Sequence, residues 1–176
     1  MLKTICGALL AAALMFMVGF GFYATPLGKL PFKHADATEA AAVQQALKYL
    51  PQAGMYQVPD ATTPEGMAAL PSGPTAIIHV GPPRAAGVDA AQLGFGFLHY
   101  VVVALAMGML LGPVPSRARF FVLFWASVTG VTMIHLGGPI WWHKDWGSAI
   151  YFAFADMISL IAGGIVMARF LTHRPG

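Results

Sequence analysis

Residues 148–171, SAIYFAFADMISLIAGGIVMARFL, form the stretch that decides the fold. The stretch is long and apolar enough to cross a lipid bilayer as a single helix. It contains one acid, Asp156, and on insertion scales an acid within a membrane helix costs about 2.5–3.5 kcal/mol. We therefore expect Asp156 to face protein or water rather than lipid.

The residues that share a helix face with Asp156 support this interpretation. Positions three or four apart along a helix lie on one side of it. On this side the residues are mostly small or mildly polar: Ala149, Phe152, Ala153, Ser159, Gly163 and Met167. Because small residues let two helices approach closely in a membrane, this face is expected to pack against other helices.

The composition of the whole chain indicates an integral membrane protein. Of its 176 residues, 57% are hydrophobic and 10% are charged, whereas a soluble domain carries roughly 25% charged residues. The net charge of +3 comes without a run of like charges, so nucleic acid is not an expected partner. The single cysteine, Cys6, excludes an intrachain disulfide, and its place in an apolar stretch predicts a buried thiol.

Three further apolar stretches, residues 1–24, 92–114 and 120–140, predict membrane helices. A cleaved signal peptide is the alternative for the first stretch. Bulky Phe22 stands where a cleavage site needs a small residue, which favours an uncleaved helix. The sequence Gly137-Gly138-Pro139 is expected to close the third stretch.

Small residues, with one methionine among them, recur at a spacing of four in two of these stretches. That spacing places them on one helix face, where they favour close helix packing. The two predicted packing faces are Gly7, Ala11, Met15 and Gly19 in the first stretch and Ala104, Gly108 and Gly112 in the second.

Residues 25–91 are the only sizeable polar region. Asp36 and Glu39 have the spacing of a capping box and predict a short amphipathic helix, which Pro51 would end. Residues 55–58 and 75–80 predict two short strands able to pair, with a helical turn beginning at Thr63 between them. The predicted fold class is an all-α membrane protein, a four-transmembrane-helix bundle with a small α+β cap between helices 1 and 2.

The positions of the basic residues predict the orientation in the membrane. An even number of spans puts the flanking cations on the same side: Lys3, Arg117, Arg119, Arg169 and Arg174. We therefore expect a bacterial inner-membrane protein with both termini in the cytoplasm. Residues 25–91 would be extracytoplasmic, 92–171 a three-helix transmembrane region, and 172–176 a cytoplasmic tail.

Three ionisable residues lie at similar depths in three different spans: His99, His135 and Asp156. At 1.5 Å of rise per residue, each is about 8–12 Å from the outer end of its helix. Thr132 and Ser159 add hydroxyl groups on the same faces. Ionisable residues inside a membrane mark functional sites or paired packing contacts.

Three interpretations of this group remain open. In the first, Asp156 accepts hydrogen bonds from one or both imidazoles and fixes helix packing. In the second, His99 and His135 are axial ligands of haem b supported by Asp156, or all three bind a metal ion directly. In the third, the group is part of a proton path, although the sequence lacks the internal repeat typical of a carrier.

Three sequence motifs carry a family resemblance: Gly54-Met55-Tyr56 with Pro59, residues 73–76, and Trp146 preceding Tyr151 and Asp156. With them the chain resembles small bacterial inner-membrane proteins of uncharacterised function. These have one leading helix, an extracytoplasmic segment and a three-helix remainder. The resemblance implies that architecture and no particular activity.

The expected function is structural or accessory: a subunit, assembly partner or small sensor of an inner-membrane complex. The reason is that the helix faces suit partners, while the sequence shows no complete catalytic set, so an enzyme is not expected. The expected partners are the lipid bilayer and a membrane protein or a second copy of the chain. The alternatives are a haem- or metal-binding electron-transfer subunit and, after it, a proton-coupled carrier.

Overall fold

The computed structural model describes residues 2–50, 52–81 and 89–171. Within them the chain is mostly helical, with one small two-stranded sheet. It divides into two compact units: a helical unit, Met1–Lys33 with Asp89–Gly176, and a second unit, His34–Val88. The predicted tail at 172–176 and the helix end assigned to Pro51 lie outside the described residues.

Four helical stretches of the helical unit are long and apolar enough to cross a membrane. They are α1 (Leu2–Tyr23), α4 (Ala90–Leu111), the stretch Ser116–Trp142, and α7 (Trp146–Phe170). The four predicted stretches are thus confirmed as helices of membrane-spanning length and composition, which indicates a multi-pass membrane protein.

The third stretch is not a uniform α-helix. It consists of α5 (Arg119–Val131), a π-helical turn (Thr132–Leu136) and α6 (Gly137–Trp142). Pro139 accounts for the turn because it has no N–H to donate to the carbonyl four residues earlier, and its ring would clash with that carbonyl. That carbonyl belongs to His135. The Gly-Gly-Pro sequence therefore reshapes the helix, which continues to Trp142 rather than closing at residue 140.

Small residues and methionines form the core of the helical unit. The first predicted packing face is confirmed, since all four of its residues are buried. In the second, Ala104 and Gly108 are buried and Gly112, just beyond α4, is half-buried. Helix α1 packs against α4 and α7. A Cβ atom at Gly163 of α7 would stand 2.6 Å from the sulfur of Met15, so the absence of a side chain there is what allows α1 to approach.

The buried thiol predicted for Cys6 is wrong. Cys6 is exposed on α1, while the next two residues, Gly7 and Ala8, are buried. The smallest residues take the face that touches other helices, and the thiol is left on the outer face beside Ile5.

The second unit contains α2 (Ala37–Leu47), β1 (Gly54–Val58), α3 (Pro64–Ala69) and β2 (Ala76–Val80). The strands pair antiparallel, as predicted, with Tyr56 opposite Ile78. The capping box is also confirmed: Asp36 accepts from the Thr38 and Glu39 amides, and Glu39 accepts from the Asp36 amide.

Candidate functional site

The carboxyl group of Asp156 joins side chains from three helical segments. Tyr23, the last residue of α1, donates its hydroxyl hydrogen to Oδ1 of Asp156 across 2.8 Å. Nε2 of His135, in the π turn, lies 2.8 Å from the other oxygen, Oδ2. We call these three residues the Asp156 cluster. Each oxygen of one acid is thus held by a different helix.

The ends of the helices position the cluster. Thr25 follows α1 and caps the short 3₁₀ turn Pro26–Lys29, and Pro26 at its first position has no N–H with which to continue α1. Tyr151, five residues before Asp156 in α7, donates its hydroxyl to the Phe22 carbonyl oxygen across 2.7 Å. This bond holds the end of α1 against α7, so that Tyr23 reaches Asp156.

An aromatic ring supports both partners of the acid. Phe152 lies one helical turn before Asp156 in α7. Its ring centroid is 6.0 Å from that of Tyr23 and 6.3 Å from that of His135. A third ring, Phe32, lies 6.1 Å from it. Contacts at this range restrict ring rotation, so the donors are held in place by packing as well as by hydrogen bonds.

The cluster is only partly enclosed by protein. The side chain of His135 is 18% exposed and that of Asp156 is 38% exposed. An ionised carboxylate can only accept hydrogen bonds, so Nε2 of His135 carries the hydrogen whenever Asp156 is charged. The arrangement therefore couples the protonation of the acid to hydrogen bonds with two helices.

The other residues predicted to join the site lie apart from these contacts. His99 is exposed, and its ring contacts its neighbour Tyr100 at 5.5 Å. Within the described residues, His99 makes no hydrogen bond to Asp156 or His135. Thr132 is exposed in the π turn. Ser159 is 3% exposed, and its hydroxyl has no hydrogen-bond partner among the described residues.

Across residues 2–50, 52–81 and 89–171, no group of three or more His, Cys, Asp or Glu side chains is placed to hold a metal ion. The structure brings His135 and Asp156 together and leaves His99 out.

Tyr23 is the member of the cluster that sequence reasoning missed. Its hydroxyl lies at the end of an apolar stretch, where tyrosine ordinarily marks the membrane interface. One signal could have found it: Tyr23 is four residues after Gly19, on the predicted packing face of α1. A polar group on that face is directed at a neighbouring helix rather than at lipid.

No protein-family model matches the sequence, and no curated protein or solved structure is significantly similar to the chain. The functional inference therefore rests on the Asp156 cluster and on the composition of the helices around it.

Proposed function

We propose that this protein is an accessory component of a bacterial inner-membrane complex, acting as a small sensor in which protonation of the Asp156 cluster changes the packing of three helices. One observation carries the proposal. Both oxygens of Asp156 are held at 2.8 Å, one by Tyr23 of α1 and the other by His135 of the π turn.

The chemistry of a carboxyl group explains how such a cluster would respond. The ionised form accepts two hydrogen bonds, whereas protonation turns one oxygen into a donor. When a hydrogen occupies one of those oxygens, the donor that it faces, the Nε2–H of His135 or the hydroxyl of Tyr23, cannot keep the same direction of hydrogen bond. A hydrogen on Oδ1 would reverse the bond with the Tyr23 hydroxyl, and a hydrogen on Oδ2 would oppose the Nε2–H of His135. We propose that this change in the two bonds alters the packing of the helices.

The location of the π turn supports a role beyond packing. A π turn costs helix stability and occurs frequently at functional sites. Here it carries His135, the residue that contacts the acid. Pro139, four residues after His135, accounts for the turn, so the sequence itself determines the backbone conformation at His135.

The proposed topology places the cluster on the outer half of the membrane. With both termini in the cytoplasm and residues 25–91 outside, the end of α1 at Tyr23 lies toward the extracytoplasmic side. The basic residues Arg117, Arg119 and Arg169, at the opposite helix ends, support this orientation through the positive-inside rule. The sensed protons would come from outside the cytoplasm.

No specific observation favours the haem alternative. Two axial imidazoles have to face one iron from opposite sides. In the structure, Nε2 of His135 is directed at Asp156 and the ring of His99 contacts Tyr100. These two residues do not fit a haem between them, so we derive no electron-transfer step.

Infrared spectroscopy of the protein in lipid bilayers tests the proposal. We would titrate it over roughly pH 4–8, where carboxyl and imidazole groups ordinarily titrate, and follow the protonated carboxyl band. The same samples are examined by hydrogen exchange of the α1 amides. We expect part of the carboxyl band to disappear in Asp156→Asn. We also expect exchange near the end of α1 to rise on protonation in the wild type and not in the variant.

Asp145→Asn is the matched control. Asp145 caps the same helix, α7, by accepting from the Ser148 amide, and asparagine caps a helix about as well as aspartate. This variant should keep the response of α1. If α1 responded equally in Asp156→Asn, or did not respond in the wild type, the sensor proposal would be wrong.

A further inference from the structure

One buried hydroxyl of α7 lacks a hydrogen-bond partner among the described residues. It belongs to Ser159, which is 3% exposed. A buried hydroxyl left in this state costs about 1–3 kcal/mol, and buried polar groups are almost always bonded to protein or to ordered water. The Ser159 hydroxyl therefore indicates a binding site for a small molecule that can form hydrogen bonds.

Ser127 of α5 shows how a buried serine in a membrane helix satisfies its hydroxyl. It is also 3% exposed, and it donates to the Leu123 carbonyl, one turn earlier, across 2.8 Å. Thr129 donates to the Trp125 carbonyl in the same way. Ser159 does not use the carbonyl one turn before it, so its hydroxyl is directed away from the backbone of its own helix.

Ser159 lies in the interface between α7 and α1. Two contacts define this interface on either side of it. A Cβ atom on Gly163 of α7 would meet the side chain of Met15, and Asp156 of α7 accepts a hydrogen bond from Tyr23. Because Ser159 stands between the two α7 residues on the same helix face, it faces the part of α1 between Met15 and Tyr23.

Gly19 is the buried residue midway along that part of α1. The hydroxyl oxygen of Tyr100, from α4, stands 2.7 Å from the place that a Cβ atom on Gly19 would take. Within the described residues this hydroxyl makes no hydrogen bond. Gly108 of α4 meets Met167 of α7, and Tyr100 and Ser159 each lie eight positions before that contact. Two hydroxyl groups from different helices thus share one level of the bundle.

We propose that Ser159, Asp156 and Tyr100 bind one internal water molecule. Residues three apart on a helix have Cβ atoms about 5–6 Å apart, a distance that two hydrogen bonds of about 2.8 Å through one water cover. A carboxylate offers about four acceptor sites, and the bonds from Tyr23 and His135 use two of those of Asp156. Three partners is the typical number for a buried water.

The acid also provides a way for water to enter. The side chain of Asp156 is 38% exposed, whereas Ser159 is 3% exposed, so the site would lie directly behind the carboxyl group. The water would donate to Asp156 and would connect the acid to α4 through Tyr100. This site shares Asp156 with the proposed sensor, but it does not require the helices to respond to protonation.

Solid-state NMR of the protein in lipid bilayers, with ¹³C-labelled serine, tests the proposal. The chain has five serines, and Ser159→Ala and Ser127→Ala identify the signals of these two. Magnetisation is transferred from water protons to the serine Cβ atoms. We expect the Ser159 signal to grow several times faster than the Ser127 signal, although the two residues are equally buried. Equally slow growth of both signals would overturn the site.

Tyr100→Phe tests the third partner. It removes one hydrogen bond to the water and should slow the growth of the Ser159 signal. Tyr49→Phe is the matched control, because Tyr49 is 80% exposed and lies in the second unit; it should leave that growth unchanged. If Tyr100→Phe also left it unchanged, the three-partner site would be wrong.

A sodium ion is the competing ligand for a carboxylate and two hydroxyl groups. The same measurement is therefore repeated with choline chloride in place of sodium chloride. We expect the growth of the Ser159 signal to be the same in both salts. A signal that depended on sodium would replace the water by a cation and overturn the assignment.

Thermal unfolding in detergent provides an independent check. Ser159→Ala should lower the unfolding temperature more than Ser127→Ala, because only the first removes a bond between helices. If Ser159→Ala raised the unfolding temperature, its hydroxyl would be an unpaired group whose removal relieves a cost, and the water site would be wrong. The sensor proposal is judged by hydrogen exchange of α1, so either proposal can fail without the other.

Discussion

The two units of the molecule are held together in different ways. In the helical unit the largest fully buried side chains are Met15, Leu111 and Met167. Met15 packs against Gly163 of α7, and Met167 packs against Gly108 of α4. In the second unit Gly66 is the only buried residue among those described. Its structure depends instead on short-range hydrogen bonds, such as those of Asp36 and Asp60.

The surroundings of each unit explain this difference. Helices in lipid gain little from burying apolar side chains, so their association relies on close packing of small residues. A small polar segment in water cannot bury enough apolar surface to form a stable core. Caps, turns and strand pairing then decide its local structure. The comparison predicts that added volume damages the first unit and that lost hydrogen bonds damage the second.

Gly164→Ala should have the largest effect. A methyl group at this position of α7 would overlap the side chain of Leu123 in α5, which is 2% exposed. Overpacking of this kind costs about 1–3 kcal/mol. We expect a lower thermal unfolding temperature in detergent, measured by circular dichroism.

Gly21→Ala in α1 is the control for added volume, because no atom of a neighbouring residue lies within 4 Å of a Cβ built there. Its unfolding temperature should be no lower than that of the wild type, because alanine favours a helix more than glycine does. If the two alanine variants were equally stable, close packing would not be what holds the helical unit together.

Asp36→Ala should have the next largest effect, confined to the second unit. The substitution removes the acceptor for the Thr38 and Glu39 amides at the start of α2, and loss of such a cap costs about 1 kcal/mol. We expect faster hydrogen exchange of the α2 amides while the exchange of α1 and α7 stays unchanged. Asp36→Asn, which retains the acceptor, should behave as the wild type. Faster exchange in α1 as well would contradict the separation of the two modes of stabilisation.

Much of this difference was predictable from the sequence, because it depends on residues close together in the chain. The four-residue spacing from Gly7 to Gly19 predicted which face of α1 is buried. Asp36 and Glu39 predicted where α2 begins, and two short runs of β-forming residues predicted the hairpin. In each case the deciding interaction spans a few positions, or repeats with the period of one helix.

The composition of the Asp156 cluster was harder to predict because it depends on how separate helices are rotated. His99 and His135 lie at similar depths in their helices, but depth does not determine direction. The π turn directs His135 toward α7. Pro139 is the sequence signal for this turn, but a proline after two glycines is more readily interpreted as the end of a helix. Tyr23 reaches Asp156 across 133 positions of the chain, a contact that no local pattern encodes.

The smallest predicted effect concerns the turn at Asp60, where the contribution depends on pH. The Thr62 hydroxyl and amide both donate to the carboxylate of Asp60, at 2.7 and 2.9 Å. These bonds, that of the hydroxyl first, hold the pKa of Asp60 below its ordinary value. Because the folded pKa is the lower one, the turn is stabilised at any pH above the ordinary value. That stabilisation disappears as the pH falls through the folded pKa.

In Thr62→Val the pKa of Asp60 should rise toward its ordinary value, whereas Thr62→Ser should keep it low. A carbon NMR titration of the Asp60 carboxyl measures both. Asp60 and Thr62 are both exposed, so neither variant should alter the unfolding temperature of the helical unit. A change there would mean that the second unit, despite its lack of a buried core, contributes to the stability of the membrane helices.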